Sequence, residues 1–312
     1  MNNSILKGIR NPSLAIDYFT KDIDQRLSRF FLGNSAGISN NFKGYLAYTK
    51  SKKISNVSDN FAYDELASKF KQEGDLQLGQ FYDSSLISNI SKKFNELIED
   101  DKFSFVRAKR NDRIFSRALF RGFEQIPESL QLLNKDISTI IEAYYGSYFK
   151  IAKFAFWRNY HVPSEFLSTA DVINNRWHCD PYNTSWIKLF IYLTDVTKED
   201  GPFCVQSTKR TKELMRLGYK NRRNYNLSSN VIEDENHIWQ ATGDIGTTFM
   251  CNCNLGLHKA GVPEPNHYRD VIQIQLAPSS EKLPVNWPEH FVDKEEPKHS
   301  KSSDNSNIRP AD

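Results

Sequence analysis

Apolar residues recur at helical spacing in the first half of the chain and at alternating positions in the second. Leu14, Tyr18, Ile23, Leu27 and Phe30 fall roughly on one helical face. Residues 34–60, rich in Ser, Asn, Lys and Gly, read as loop. A short helix is expected over 63–70. Asp83-Ser84-Ser85 supplies short polar side chains that can accept free backbone N–H groups, so a helix should start there. Leu86, Ile87, Ile90, Phe94, Leu97 and Ile98 give it one apolar face. The spacing predicts a further helix over 127–145, with Leu130, Leu133, Ile137, Ile140, Ile141 and Tyr144 inward.

From Tyr148 the period changes to two. Residues 148–157 are aromatic and extended, and read as strand. Ile187, Leu189, Ile191 and Leu193 share one face of the next strand; Trp186, Lys188, Phe190 and Tyr192 share the other. Residues 198–202 are a turn, and 247–253 and 269–276 are further strands. Helices first and many short strands later predict a mainly β fold with helical buttresses, a β-sandwich or jelly roll. The expected organisation is an accessory, mostly helical segment over 1–75, a β domain over 76–292 and a disordered tail over 293–312. That tail is charged and poor in apolar residues.

Composition changes this picture little. A chain of 312 residues with 39% hydrophobic content can build one sizeable core plus an extension. Its 21 Phe and 14 Tyr favour strands and a filled interior. The net charge of +3 does not point to nucleic acid. Charge is uneven locally: residues 209–223 hold seven Lys/Arg against one Glu, where a loop covering a substrate would fall. An anionic substrate would account for those cations, and so would a solvated loop. Cys251 and Cys253 are too closely spaced for an ordinary structural disulfide. With no apolar leader after Met1 and no membrane-length apolar run, a reducing cytoplasm is expected.

The candidate chemistry lies in three runs: Trp177-His178-Cys179-Asp180, Leu257-His258-Lys259-Ala260-Gly261 and Tyr268-Arg269-Asp270. Side chains at i and i+2 of an extended segment point the same way, so His178 and Asp180 can bind one ion from a single strand end. Two imidazoles and one carboxylate are the ligand set of a mononuclear non-haem iron(II) site with open positions. One His-x-acid pair means little, since chance predicts about one in a chain with 7 His and 38 Asp+Glu. The information lies in the later His258 and in Arg269, whose guanidinium can grip a carboxylate through two parallel hydrogen bonds. On the Arg269 strand, Val271, Gln273 and Gln275 share its face, making Gln273 a candidate pocket residue. Lys188 is a second candidate for the co-substrate carboxylate, or else faces solvent. Asn252 and Asn254 are either outer partners of the metal ligands or turn-capping residues. Trp177 reads as a packing aromatic. Cys179 should point away from the metal.

On these runs, and on the Asp200-Gly201-Pro202-Phe203 turn, the chain resembles the phytanoyl-CoA dioxygenase-like branch of the iron(II)/2-oxoglutarate oxygenases. The resemblance spans about residues 76–285. It implies a double-stranded β-helix, a jelly-roll barrel of the cupin kind. It further implies His178, Asp180 and His258 as iron ligands, and Arg269 as the anchor of the distal carboxylate of 2-oxoglutarate. The implied reaction consumes O2 and 2-oxoglutarate, releases succinate and CO2, and hydroxylates a small-molecule or lipid-like substrate. Related halogenases lack the carboxylate ligand, so Asp180 implies oxidation instead of halogenation. Two positions depart from the family pattern. Ser207-Thr208-Lys209 replaces a frequent Ser-His pair, and Val271 stands where many relatives carry a hydroxyl residue. Two other readings compete: a zinc-dependent hydrolase or isomerase on a jelly roll, and a non-catalytic binding module. Arg269 argues against the first and the intact triad against the second.

Overall fold

Alternation in the second half of the chain becomes an antiparallel sheet whose two faces differ in kind. The computed structural model describes residues 12–54, 63–167, 170–220, 222, 227–291 and 309–310. The strands are β1 (Asp75–Gln80), β2 (Ser104–Arg110), β3 (Arg113–Leu119), β4 (Tyr148–Tyr160), β5 (Ala170–Asp171), β6 (Ile187–Tyr192), β7 (Phe203–Gln206), β8 (Ile238–Ala241), β9 (Thr247–Cys251), β10 (His258–Ala260) and β11 (Tyr268–Ser279). Seven of them form one sheet in the order β1-β9-β6-β11-β4-β3-β2, and three form a second in the order β10-β7-β8. This is a jelly roll, mainly antiparallel sheet with helices on one side. Of the segment 293–312, only Arg309–Pro310 is described, paired antiparallel with β5.

One face of the large sheet is apolar and covered by helices. Ile187, Leu189 and Ile191 of β6 join Ile272, Ile274 and Leu276 of β11 and Phe154 and Phe156 of β4 in one buried cluster. Helix Ser84–Leu97 adds Ile87, Ile90 and Phe94 to it, and helix Lys135–Tyr145 adds Ile137, Ile140 and Ile141. Each such side chain contributes about 1.5–3 kcal/mol by leaving water, so this layer supplies much of the stability. Asp83 caps the first of these helices as expected, accepting from Ser85 N at 2.8 Å and Leu86 N at 3.2 Å.

The opposite face looks into the barrel toward the small sheet. Trp157, Phe190, Tyr192, Phe203, Phe249 and Val271 form a separate buried cluster there. The β6 alternation read from the sequence is thus realised: Leu189 and Ile191 to the helices, Phe190 and Tyr192 to the barrel.

Two expectations need correction. Residues 34–60 are not loop: Ile38–Ile54 is a helix, and 55–60 lie outside the described residues. The polar residues that lower helix propensity here bond back to the preceding turn, Asn41 Nδ2 to Gly37 O at 2.7 Å and Thr49 Oγ1 to Tyr45 O at 2.7 Å. The expected helix over 127–145 is two pieces. A 3₁₀ turn, Pro127–Leu133, ends at Asn134, which is extended (φ −65, ψ 176) and caps Lys135–Tyr145 by accepting from Ile137 N at 3.0 Å. Ile23 and Leu27 of helix Pro12–Leu27 and Phe30 just beyond it are 40%, 43% and 80% exposed.

Candidate metal centre and its cavity

His178 reaches the site from an extended segment held by one antiparallel bridge. His178 N donates to His258 O at 3.0 Å and His258 N donates to His178 O at 2.9 Å. Asp180 N donates to Cys253 O at 2.8 Å, which fixes the second ligand on the same backbone track. Alternation sends His178 and Asp180 to one side and Cys179 to the other, against the cluster around Trp177 and Leu214.

The three side chains converge. Asp180 Oδ1 lies 3.7 Å from His178 Nε2 and 3.6 Å from His258 Nε2. One donor atom from each residue falls within 4.8 Å of the others, and all three residues are buried. The other ring nitrogens face backbone carbonyls, His178 Nδ1 at 2.8 Å from Arg176 O and His258 Nδ1 at 3.1 Å from Gly256 O. With Nδ1–H donating there, both Nε2 lone pairs turn toward a shared point, the usual outer support of a metal-binding histidine. Burial, with help from His258 and Arg222, holds His178 well below the ordinary histidine value, so it is neutral and able to coordinate at neutral pH. Burial opposes a charge on Asp180, but Lys188 and the two histidines outweigh it and keep the carboxyl well below its ordinary value. This donor set fits a divalent ion.

Lys188 does not face solvent. Its side chain is 12% exposed and its ammonium forms an ion pair with Asp180 Oδ2. That leaves Oδ1 between the two imidazoles.

Two glycines bring His258 into place. Gly201 has φ +63, and a Cβ there would sit 2.4 Å from the backbone of Val262; a Cβ on Gly261 would sit 2.5 Å from Pro202 O. The Gly201-Pro202 turn and the segment after β10 therefore pack backbone on backbone, joined by Gly261 N donating to Pro202 O at 2.9 Å. Asp200 holds the turn by accepting from Thr197 N at 2.8 Å, and its other oxygen lies 2.8 Å from His267 Nδ1.

Arg269 enters the same cavity from the start of β11. It is 3% exposed, its Nη1 has no hydrogen-bond partner, and no carboxylate among the described residues pairs with it. Burial lowers its pKa from the ordinary arginine value; a guanidinium stays protonated in proteins, so the site holds a cation with no carboxylate among the described residues paired to it. Gln273, one face-repeat along β11, is 6% exposed and also lines the cavity. The cavity measures about 510 Å³ and contains His178, Asp180, His258, Lys188, Arg269 and Gln273 in its walls.

Other candidates found duller roles. Asn252 donates to Thr184 O at 3.1 Å and Asn254 to Trp186 O at 2.6 Å, pinning the loop before β6. Trp177 packs and donates its indole N–H to Glu233 at 2.8 Å. Most of the basic run falls on helix Thr208–Arg216, where Arg210 donates to Glu213 at 3.2 Å and to Val231 O at 2.9 Å. Among its described residues, only Arg222 lines the cavity, paired with Asp171. Sequence reasoning missed Ser116, Asn159 and Asp171, all cavity-lining and buried. Asn159 carried a signal, since it shares strand parity with Trp157; Ser116 and Asp171 carried none.

No protein-family model matches the chain, and no curated protein matches its sequence. Solved structures do match. The non-heme alpha ketoglutarate dependent epimerase SnoN from nogalamycin biosynthesis is 14% identical, with 70% of this chain and 84% of that chain covered and a TM-score of 0.51. EctD from S. alaskensis, in its apoform, is 16% identical over 74% of this chain and 85% of that chain, with a TM-score of 0.49. HygX from Streptomyces hygroscopicus, with nickel and 2-oxoglutarate bound, is 13% identical over 70% and 88%, with a TM-score of 0.47. At these identities the likeness to SnoN is a likeness of fold.

Proposed function

We propose that the chain is a non-haem iron(II)- and 2-oxoglutarate-dependent dioxygenase of the phytanoyl-CoA dioxygenase-like family that oxidises a small molecule. One observation carries this reading: a buried, unpaired Arg269 shares a cavity with a convergent His178–Asp180–His258 set. A buried cation without a counter-ion costs several kcal/mol. An anionic co-substrate that binds beside the metal gives it a purpose. The fold shared with an alpha ketoglutarate dependent enzyme supports the same reading.

In this reading His178, Asp180 and His258 would hold the iron, and the three-ligand set would leave it able to bind a co-substrate. Bound iron, 2-oxoglutarate and O2 supply oxidative decarboxylation to succinate and CO2, coupled to oxidation of a C–H bond. Arg269 orients the distal carboxylate through charge-assisted hydrogen bonds. Lys188 neutralises Asp180 Oδ2 and so fixes which carboxylate oxygen faces the metal. Gln273 lines the space between β11 and the metal and completes the co-substrate pocket. Phe190, Phe203 and Phe249 exclude water from that space. The mostly helical segment expected over 1–75 acts as an accessory to the oxygenase domain over 76–292, with β1 beginning at Asp75. No helix among the described residues is long and apolar enough to cross a membrane. The anionic substrate expected from 209–223 loses its basis, because that run lies mainly on an outer helix.

A zinc hydrolase or isomerase would use the same three ligands but would leave Arg269 without a task. The test is anaerobic: purified protein is mixed with ferrous iron and 2-oxoglutarate, and the visible charge-transfer band of the chelate is sought. The band is expected in the wild type and absent in His178→Ala and Asp180→Ala. Folded, iron-loaded wild type without the band would overturn the proposal.

A further inference from the structure

Three residues that line the cavity, Ser116 on β3, Asn159 on β4 and Asp171 on β5, carry hydrogen-bonding atoms that the protein does not use. Ser116 Oγ, Asn159 Oδ1 and Asp171 Oδ1 are buried and have no hydrogen-bond partner. Their residues are 2%, 3% and 6% exposed, and all three line the cavity. Strand register and packing gather them. Ser116 on β3 is the direct partner of Asn159 on β4, and Ala108 on β2 is the partner of Ser116 on the other side. Ala108 packs in one cluster with Val172, the neighbour of Asp171. The β5 segment thus shares an apolar cluster with β2, the strand paired with Ser116.

A buried polar atom left unpaired costs about 1–3 kcal/mol, and native proteins leave few of them. Three in one cavity indicate a ligand or ordered water. Their chemistry selects among ligands. Asp171 Oδ1 only accepts. Ser116 can donate or accept, and the Asn159 amide carries one edge of each kind. A phosphate or carboxylate offers no donor to Asp171. An ammonium group is opposed by Arg222, which already occupies Asp171 Oδ2 and reaches Asn174 Oδ1 at 3.1 Å. A neutral hydroxyl group donates to the carboxylate and accepts from a neighbouring cation, so it suits both sets.

We propose that the wall of Ser116, Asn159 and Asp171 receives the hydroxyl groups of a neutral, polyhydroxylated substrate, a sugar or cyclitol. Its role as substrate rests on the oxygenase reading; its chemical class rests on the wall.

Ligand-observed saturation-transfer NMR tests this on the full chain with zinc in place of iron. The probes are methyl glucosides, myo-inositol and sucrose. Glucosamine, glucose 6-phosphate and cyclohexanemethanol serve as charged or singly hydroxylated counterparts. At least one neutral polyol is expected to bind more tightly than every counterpart. Ser116→Ala/Asn159→Ala should weaken it about tenfold, the loss of two neutral hydrogen bonds. Ser116→Ala alone, with an expected loss of about threefold, keeps the test open should the double variant fold poorly. The inference is overturned if no neutral polyol binds, leaving a wall solvated by water only, if a counterpart binds more tightly, or if the variants bind as the wild type does. 2-Oxoglutarate affinity is measured on the same samples. Polyol binding without 2-oxoglutarate binding would remove the proposed reaction and keep the ligand class; the reverse would remove the ligand class alone.

Discussion

Arg158 on β4 and Arg269 on β11 are one register step apart and face opposite sides of the same sheet. Arg158 lies opposite Asp270, and Arg269 opposite Asn159. On the helix-covered side, Arg158 Nε and Nη2 donate to the two oxygens of Asp270, both at 2.7 Å. Its Nη1 donates to Glu99 at 3.0 Å, and its guanidinium lies 4.2 Å from the centre of the Tyr268 ring. On the barrel side Arg269 has no such partner. Both are buried, so burial alone does not distinguish a structural cation from a binding one. Completeness of the partner set does. Arg158 and Asp270 close each other's hydrogen bonds on the helix face; the barrel face leaves Arg269, Ser116, Asn159 and Asp171 each with an unpaired atom.

The largest effect is expected on the closed side. Arg158→Ala strands a buried Asp270 carboxylate and should destabilise the fold by about 3–5 kcal/mol, read by chemical denaturation. Arg269→Ala should leave stability unchanged or raise it, while weakening 2-oxoglutarate binding by about 10–100-fold and sparing iron, as calorimetry would report. Equal stability losses in the two variants would break the distinction between the faces. Lys188→Met removes the partner of Asp180 Oδ2 and should lower metal affinity about tenfold, the scale of an outer-support change; unaltered metal titration would deny Lys188 that positioning role.

The smallest effect is a slope with pH. Burial works against a charge on His258, but Cys253 and Asp180 more than offset it and raise its pKa above the ordinary histidine value. A metal must displace that proton, so affinity should fall as pH drops below the raised pKa, by about tenfold per unit for one proton. Above it the affinity should level off. Metal titration across neutral pH checks the sign; affinity that rises on acidification would contradict it.

Legibility followed the range of the interactions. The helix start at Asp83 was readable because its cap bonds lie within three residues. The β6 faces were readable because alternation is local. The helix Ile38–Ile54 was misread because its Asn and Thr side chains can serve turns and helices alike, and helical back-bonding won. The break at Asn134 was missed because apolar spacing continues across it while the backbone does not. Lys188 was legible as a barrel-side residue, but its partner depended on where Asp180 arrived.

By itself the sequence determined the strand alternation, the His178/Asp180 pairing on one side of an extended segment, and the order of ligands and arginine. These follow from backbone periodicity. It could also flag Gly201 as turn material. Only the tertiary structure decided that two glycine backbones press together to deliver His258, that Lys188 serves Asp180, and that Arg269 stands without a counter-ion. It alone assembled Ser116, Asn159 and Asp171, because cross-strand register and loop packing join residues with no shared pattern along the chain. Whether a buried polar atom is satisfied is a property of its surroundings, and those exist only once the chain has folded.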